Sequence, residues 1–62
     1  SLDIDQIISN VLENNQNMID QYKNGNMKVF NVLIGLVMKE SKGLINPKDI
    51  TNKLKEILEK WT

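Results

Sequence analysis

Apolar side chains recur along this chain at helical spacing, in four separate groups. Ile4, Ile7, Ile8, Val11 and Leu12 follow the i, i+3, i+4 rule, which predicts an amphipathic helix from about Ile4 to Glu13. Asp3 caps it, and Gln6 three residues on completes a capping-box pattern. Asn14 and Asn15 end it, because asparagine side chains compete for backbone hydrogen bonds. A shorter helix follows from about Gln16 to Lys23, with Met18, Ile19 and Tyr22 as its apolar positions. Asn24-Gly25-Asn26 closes it: Gly25 suits a left-handed C′ residue, and Asn26 a cap for the next helix.

The segment from Met27 to Lys42 is the most apolar. At roughly 100° per residue, Val29, Phe30, Val32, Leu33, Ile34, Leu36, Val37 and Met38 fill most of the wheel. A helix of that kind is packed on nearly all sides by other elements. One strip remains, holding Lys28, Asn31, Gly35, Lys39 and Lys42 at i, i+3, i+7, i+11 and i+14. The open stripe is therefore basic, with a glycine at its middle. Gly43 is the next left-handed stop, and Leu44 and Ile45 are expected to tuck against the bundle.

Asn46-Pro47-Lys48-Asp49 is the clearest start signal in the chain. Asn46 is a cap, Pro47 sits at N1 where no amide is missed, and Asp49 complements the helix N-terminus. Ile50, Leu54, Ile57, Leu58 and Trp61 then form one stripe, so the fourth helix packs on one side only. The prediction is all-α: a single domain over residues 1–62, built as a small bundle of about four helices around a central helix at about 27–42.

Composition narrows the chemistry. The chain has neither cysteine nor histidine, which removes disulfides, thiolate metal sites and the commonest general base. Asp3 and Asp5, like Glu56 and Glu59, are paired only in sequence and fall on polar helix faces. Ser1, Ser9 and Ser41 have no histidine to activate them, and Gly25, Gly35 and Gly43 are too far apart for a phosphate-cradling loop. No catalytic residue and no metal ligand is assigned. The run Val29–Met38 falls short of the roughly 20 residues that span a bilayer, so no membrane partner is expected. The start at Ser1 suggests a fragment or processed chain.

Charge changes the picture more than composition does. The net charge is zero, yet residues 1–22 carry Asp3, Asp5, Glu13 and Asp20 without a lysine, while residues 23–48 carry five lysines against Glu40 alone. Either the two segments attract each other inside the fold, or one basic face is turned toward an anionic partner. Every basic residue is lysine, which acts as a mobile point charge on phosphate rather than as a base-reading fork. Gly35 likewise has two readings: it lets a polyanion approach the helix backbone, or it admits a neighbouring helix. Tyr22 and Trp61 could stack on bases, but Trp61 is in register with Leu54 and Leu58, which favours packing.

A set of these residues is familiar. Tyr22-x-x-Gly25-x-x-Lys28, Leu33-Ile34-Gly35-Leu36-Val37-Met38-Lys39, Lys42-Gly43 and Asn46-Pro47-Lys48 followed by Ile50 and Leu54 resemble the C-terminal tail of the aspartyl/glutamyl-tRNA amidotransferase B subunit. The same helical module occurs in YqeY-like proteins. The resemblance covers residues 14–61, with residues 1–13 fitting the preceding helix more loosely. It implies a non-catalytic, tRNA-binding piece of a larger cytoplasmic subunit, which helps present mischarged Asp-tRNA(Asn) or Glu-tRNA(Gln). Amidation by the parent complex depends on ATP, magnesium and glutamine, none of which this domain would bind, and other amidotransferase subunits are partners of the parent chain.

On that resemblance phosphate contact becomes the better reading of the stripe. The expected tRNA-binding residues are Lys28, Gly35, Lys39, Lys42, Gly43 and Lys48, with Lys23 as an addition, and the acidic first helix faces elsewhere. The alternative is a helical protein–protein interaction module that docks through apolar residues of the fourth helix and makes no direct RNA contact.

Overall fold

Four helices follow one another in the computed structural model, which describes residues 3–61: α1 (Ile4–Glu13), α2 (Gln16–Lys23), α3 (Lys28–Glu40) and α4 (Pro47–Trp61). Ser1 lies outside the described residues. The polar residues between the apolar groups explain where each helix begins and ends. Asp3 accepts the Gln6 N–H at 3.3 Å, as a cap should. The capping box is only half formed, because the Gln6 carboxamide donates to Asn10 Oδ1 at 3.0 Å, one turn along the same face.

The α2 stop is a Schellman motif. The Asn26 N–H bonds to the Gln21 carbonyl at 2.9 Å and the Gly25 N–H to the Tyr22 carbonyl at 3.0 Å, with Gly25 at φ +98°. Asn26 Oδ1 then accepts the Lys28 N–H at 3.2 Å and starts α3. The end of α3 repeats the motif: Gly43 N–H to Met38 carbonyl at 2.9 Å, and Lys42 N–H to Lys39 carbonyl at 3.0 Å. Here the left-handed C′ residue is Lys42 (φ +57°), not Gly43 as expected, and Gly43 is a second left-handed residue at φ +72°. At the α4 start, Asn46 Oδ1 accepts the Lys48 N–H at 2.8 Å, with Pro47 opening the helix.

Two consecutive left-handed residues redirect the chain, and this overturns the expectation for Leu44. Its N–H is tied to the Ser41 carbonyl at 3.1 Å, and its side chain is left 73% exposed. Only Ile45 packs against the core.

The core is the junction of α3 with everything else. Leu33 and Val37 of α3 have no exposed surface, and neither do Ile8 and Leu12 of α1 or Ile50 and Leu54 of α4. α3 touches α1, α2 and α4, and α1 also borders α2 and α4. Tyr22 is half-buried with its ring 5.9 Å from that of Phe30, which fastens α2 to α3. Val32 departs from the wheel reading. It is 48% exposed, because no helix covers the side of α3 that carries Lys28 and Gly35. Ile50, Leu54 and Leu58 are buried, so the apolar face of α4 is core and not a docking surface.

α1 and α4 are also joined by charge. Lys53 Nζ lies 3.3 Å from Asp5 and 3.8 Å from Glu56. The hydrogen bond and charge of Asp5, with Glu56 adding, hold the ammonium above its ordinary pKa. Since the shift is upward, the contribution is complete at neutral pH and fades only as pH rises through the lysine range.

Two substitutions test this account. Leu33→Ala removes a fully buried side chain from the hub and should cost about 3 kcal/mol, read as a lowered midpoint in urea. Lys42→Gly relieves a left-handed lysine and should raise stability by up to about 1 kcal/mol, read in the same way.

Candidate nucleic-acid interface

The side of α3 that no helix covers carries Lys28, Asn31, Val32, Gly35 and Lys39, all exposed. From Lys28 to Lys39 this line runs about 16 Å at about 1.5 Å per residue. Met27, just before it, is 60% exposed, so the face mixes cationic and apolar groups around a bare stretch of backbone. A Cβ added at Gly35 would meet nothing within 4 Å. The packing explanation of this glycine therefore fails within the described residues. An interior helical glycine is about 1 kcal/mol worse than alanine, and no neighbour here requires it.

Among the described residues the ion pairs involve Lys53 and Lys60 with Asp5 and Glu56, and none involves Lys23, Lys28, Lys39, Lys42 or Lys48. The acidic α1 segment thus does not neutralise the basic stripe. Instead its Asp5 turns to α4.

Not every expected site residue falls on the line. Lys28, Gly35 and Lys39 share one face of α3. Lys42 and Gly43 lie past its C-terminus, both exposed, so Lys42 follows the left-handed turn rather than the helical stripe. Lys39 and Lys42 stand at the negative end of the α3 dipole, where cations are favoured. Lys48 is on another element, in the first turn of α4, at the positive end of that helix. Lys23 lies in the last turn of α2, in a small cavity with Ile19, Asp20 and Trp61. Tyr22 is committed to Phe30, and Trp61, 37% exposed, packs at the edge beside α2.

A cleft of about 330 Å³, not anticipated from the sequence, opens next to Lys39 between the C-terminal end of α1 and that of α3. Asn10, Asn14 and Asn15 form one wall, and Leu36, Lys39 and Glu40 the other. The signal was present as Asn10 and Asn14, one turn apart on a helix whose other face is apolar. Asn14 and Asn15 read as helix breakers, which concealed that Asn14 shares a face with Asn10.

Ser41 is fully buried with its hydroxyl donating to the Met38 carbonyl at 2.9 Å, a second hydrogen bond to the oxygen that also accepts the Gly43 N–H. Among the described residues, no three acidic side chains gather where a metal ion could sit. No described helix is long and apolar enough to cross a membrane.

The sequence profile of the GatB domain family matches residues 2–58. Among similar proteins, the B subunit of the aspartyl/glutamyl-tRNA(Asn/Gln) amidotransferase of Moraxella catarrhalis is 49% identical over 55 residues, which are 89% of this chain and 11% of that protein. The corresponding protein of Coprothermobacter proteolyticus is 44% identical over 59 residues, or 95% of this chain and 12% of that one. That of Clostridium botulinum (strain Hall) is 47% identical over 49 residues, or 79% and 10%. The chain thus spans only about a tenth of the length of these relatives. No solved structure matches.

Because the space around Gly35 is open, Gly35→Ala should stabilise the domain by about 1 kcal/mol, measured by thermal or urea unfolding. A loss of stability would show that the glycine is needed for packing after all.

Proposed function

The chain belongs to the GatB domain family, and from that premise we propose that it is the non-catalytic, tRNA-binding tail of an amidotransferase B subunit. It grips the RNA backbone through α3 and its C-terminal turn and helps present the mischarged tRNA to a catalytic body elsewhere in the cytoplasmic parent enzyme. The observation that carries this reading is Gly35. It leaves bare helix backbone exposed between Lys28 and Lys39, with no packing neighbour and no acidic partner for either lysine among the described residues.

The physics of each part fits a polyanion. Lysines on an open helix face place mobile charges against successive phosphates, and a missing side chain lets the sugar–phosphate backbone approach closely. Recognition of RNA by shape and backbone suits a lysine-only surface. Lys28 and Lys39 form the line, Lys42 and Gly43 extend it around the helix end, and Lys48 reaches the ligand only from the adjoining α4 turn. ATP and magnesium belong to the catalytic body of such an enzyme. The other amidotransferase subunits meet the parent chain rather than this face.

A second reading rests on Met27 and Val32, whose apolar surfaces adjoin the same glycine. In that reading a helix or strand of another protein lies against Gly35, and the lysines only solvate the rim.

Titration with a transcribed tRNA across a range of salt concentrations separates the two. Lys39→Ala with Lys42→Ala should weaken binding and flatten the plot of log affinity against log salt by about 2 units, about one for each phosphate no longer neutralised. Gly35→Ala should weaken tRNA binding while stabilising the fold. An unchanged salt slope, with capture of a protein partner abolished by Val32→Asp, would favour the protein-docking reading.

A further inference from the structure

We propose that the cleft between the ends of α1 and α3 holds one unstacked nucleotide of the bound RNA. The proposal rests on the reading of α3 as an RNA-backbone surface and adds to it the part of the RNA that is read. The cleft and the stripe share Lys39, which lies on the exposed line of α3 and also lines the cavity. A phosphate on Lys39 is therefore followed or preceded by a nucleoside beside the cleft mouth.

The cleft has the size and the chemistry for that nucleoside. Its volume of about 330 Å³ is at the lower end of small-ligand sites, which run from roughly 300 to 1,000 Å³. Half-buried Leu36 gives an apolar surface for the flat face of a base, with the core residue Val11 at the floor of the cleft. Around it stand groups with open hydrogen-bonding capacity. Asn10 uses its carbonyl oxygen to accept from Gln6 and keeps its amide N–H groups for a ligand. Asn15 does the reverse: its amide donates to the Val11 carbonyl at 2.8 Å, which leaves its side-chain oxygen as an acceptor. Asn14 offers both, and Glu40, in no ion pair among the described residues, accepts N–H groups or ribose hydroxyls.

Such a mixture matches the edge of a base that is out of its helix. Paired bases in A-form RNA keep those edges hidden, whereas loop and bulge bases can be splayed out and bound on them. A wholly electrostatic surface needs no carboxamides, and a carboxylate beside it opposes phosphate. Glu40 at the cleft suits a nucleoside there better than a phosphate.

The test compares two RNA probes, a transcribed tRNA and a blunt-ended RNA duplex of equal phosphate count, on the 62-residue chain. Asn10→Ala with Asn14→Ala should lower tRNA affinity roughly tenfold and leave duplex affinity and the salt slope unchanged. A thermal melt checks that these exposed replacements leave the fold intact. The single, isosteric Glu40→Gln provides an independent reading: the ratio of tRNA to duplex affinity should fall severalfold, even if both affinities rise with the removal of a negative charge. If that ratio is unchanged in both variants while Lys39→Ala weakens both RNAs, the cleft proposal is overturned and the RNA-backbone reading stands. If the unsubstituted chain binds neither probe, both fall.

Discussion

Burial of Leu33 and Val37 between three other helices is the contact on which the rest of this structure depends. With no cysteine to form a disulfide, these 62 residues depend on their core to offset the entropy of ordering. Each fully buried aliphatic side chain contributes on the order of 2 kcal/mol, so losing one at the hub matters far more than losing one at the rim. The eight residues of α2 are too few to persist alone in water, and they are held by Ile19 and by the ring of Tyr22 against Phe30. α4 needs only one apolar stripe because it has only one neighbour layer to meet.

The same arrangement obliges α3 to show one face. Three helices cannot enclose a fourth, and the uncovered side carries the local choices that do least for stability. Gly35 weakens the helix with nothing packed against it, and Lys42 adopts a left-handed conformation that glycine would take more readily. Elsewhere the chain follows local rules closely: Asp3, Asn26 and Asn46 each cap the start of a helix, and Gly25 ends one in the left-handed region. Gly35 lies on the open face and Lys42 in the turn beyond it, and neither departure is offset by a packing neighbour of Gly35 among the described residues.

Charge is partitioned along the same division. The acidic start of α1 is drawn to Lys53 on α4, and the lysines of α3 are left without carboxylates among the described residues. A fold that had paired them would have neutralised the exposed side of α3. Glu40 is the exception, and it stands in the cleft with the asparagines rather than on the lysine line.

Helix content, order and most of the ends were written in the sequence, because each depends on neighbours within a turn; the exception is α3, which stops at Glu40 with Lys42 as its left-handed residue. Ile4–Glu13 and Gln16–Lys23 follow from the spacing of isoleucine, valine, leucine and tyrosine, and Asn46-Pro47 marks the α4 start without reference to anything distant. The basic stripe was legible for the same reason, since Lys28, Gly35 and Lys39 share a face by periodicity alone. Periodicity could not say which side of so apolar a helix would stay uncovered, and it therefore counted Val32 as packed. Nor could it place Leu44, whose exposure follows from two left-handed residues in succession, or decide between the two reasons for Gly35. Those outcomes belong to tertiary structure. The space around Gly35 is set by where α1, α2 and α4 come to rest, and the cleft of Asn10, Asn14 and Glu40 exists only because the ends of two helices, distant in sequence, lie side by side.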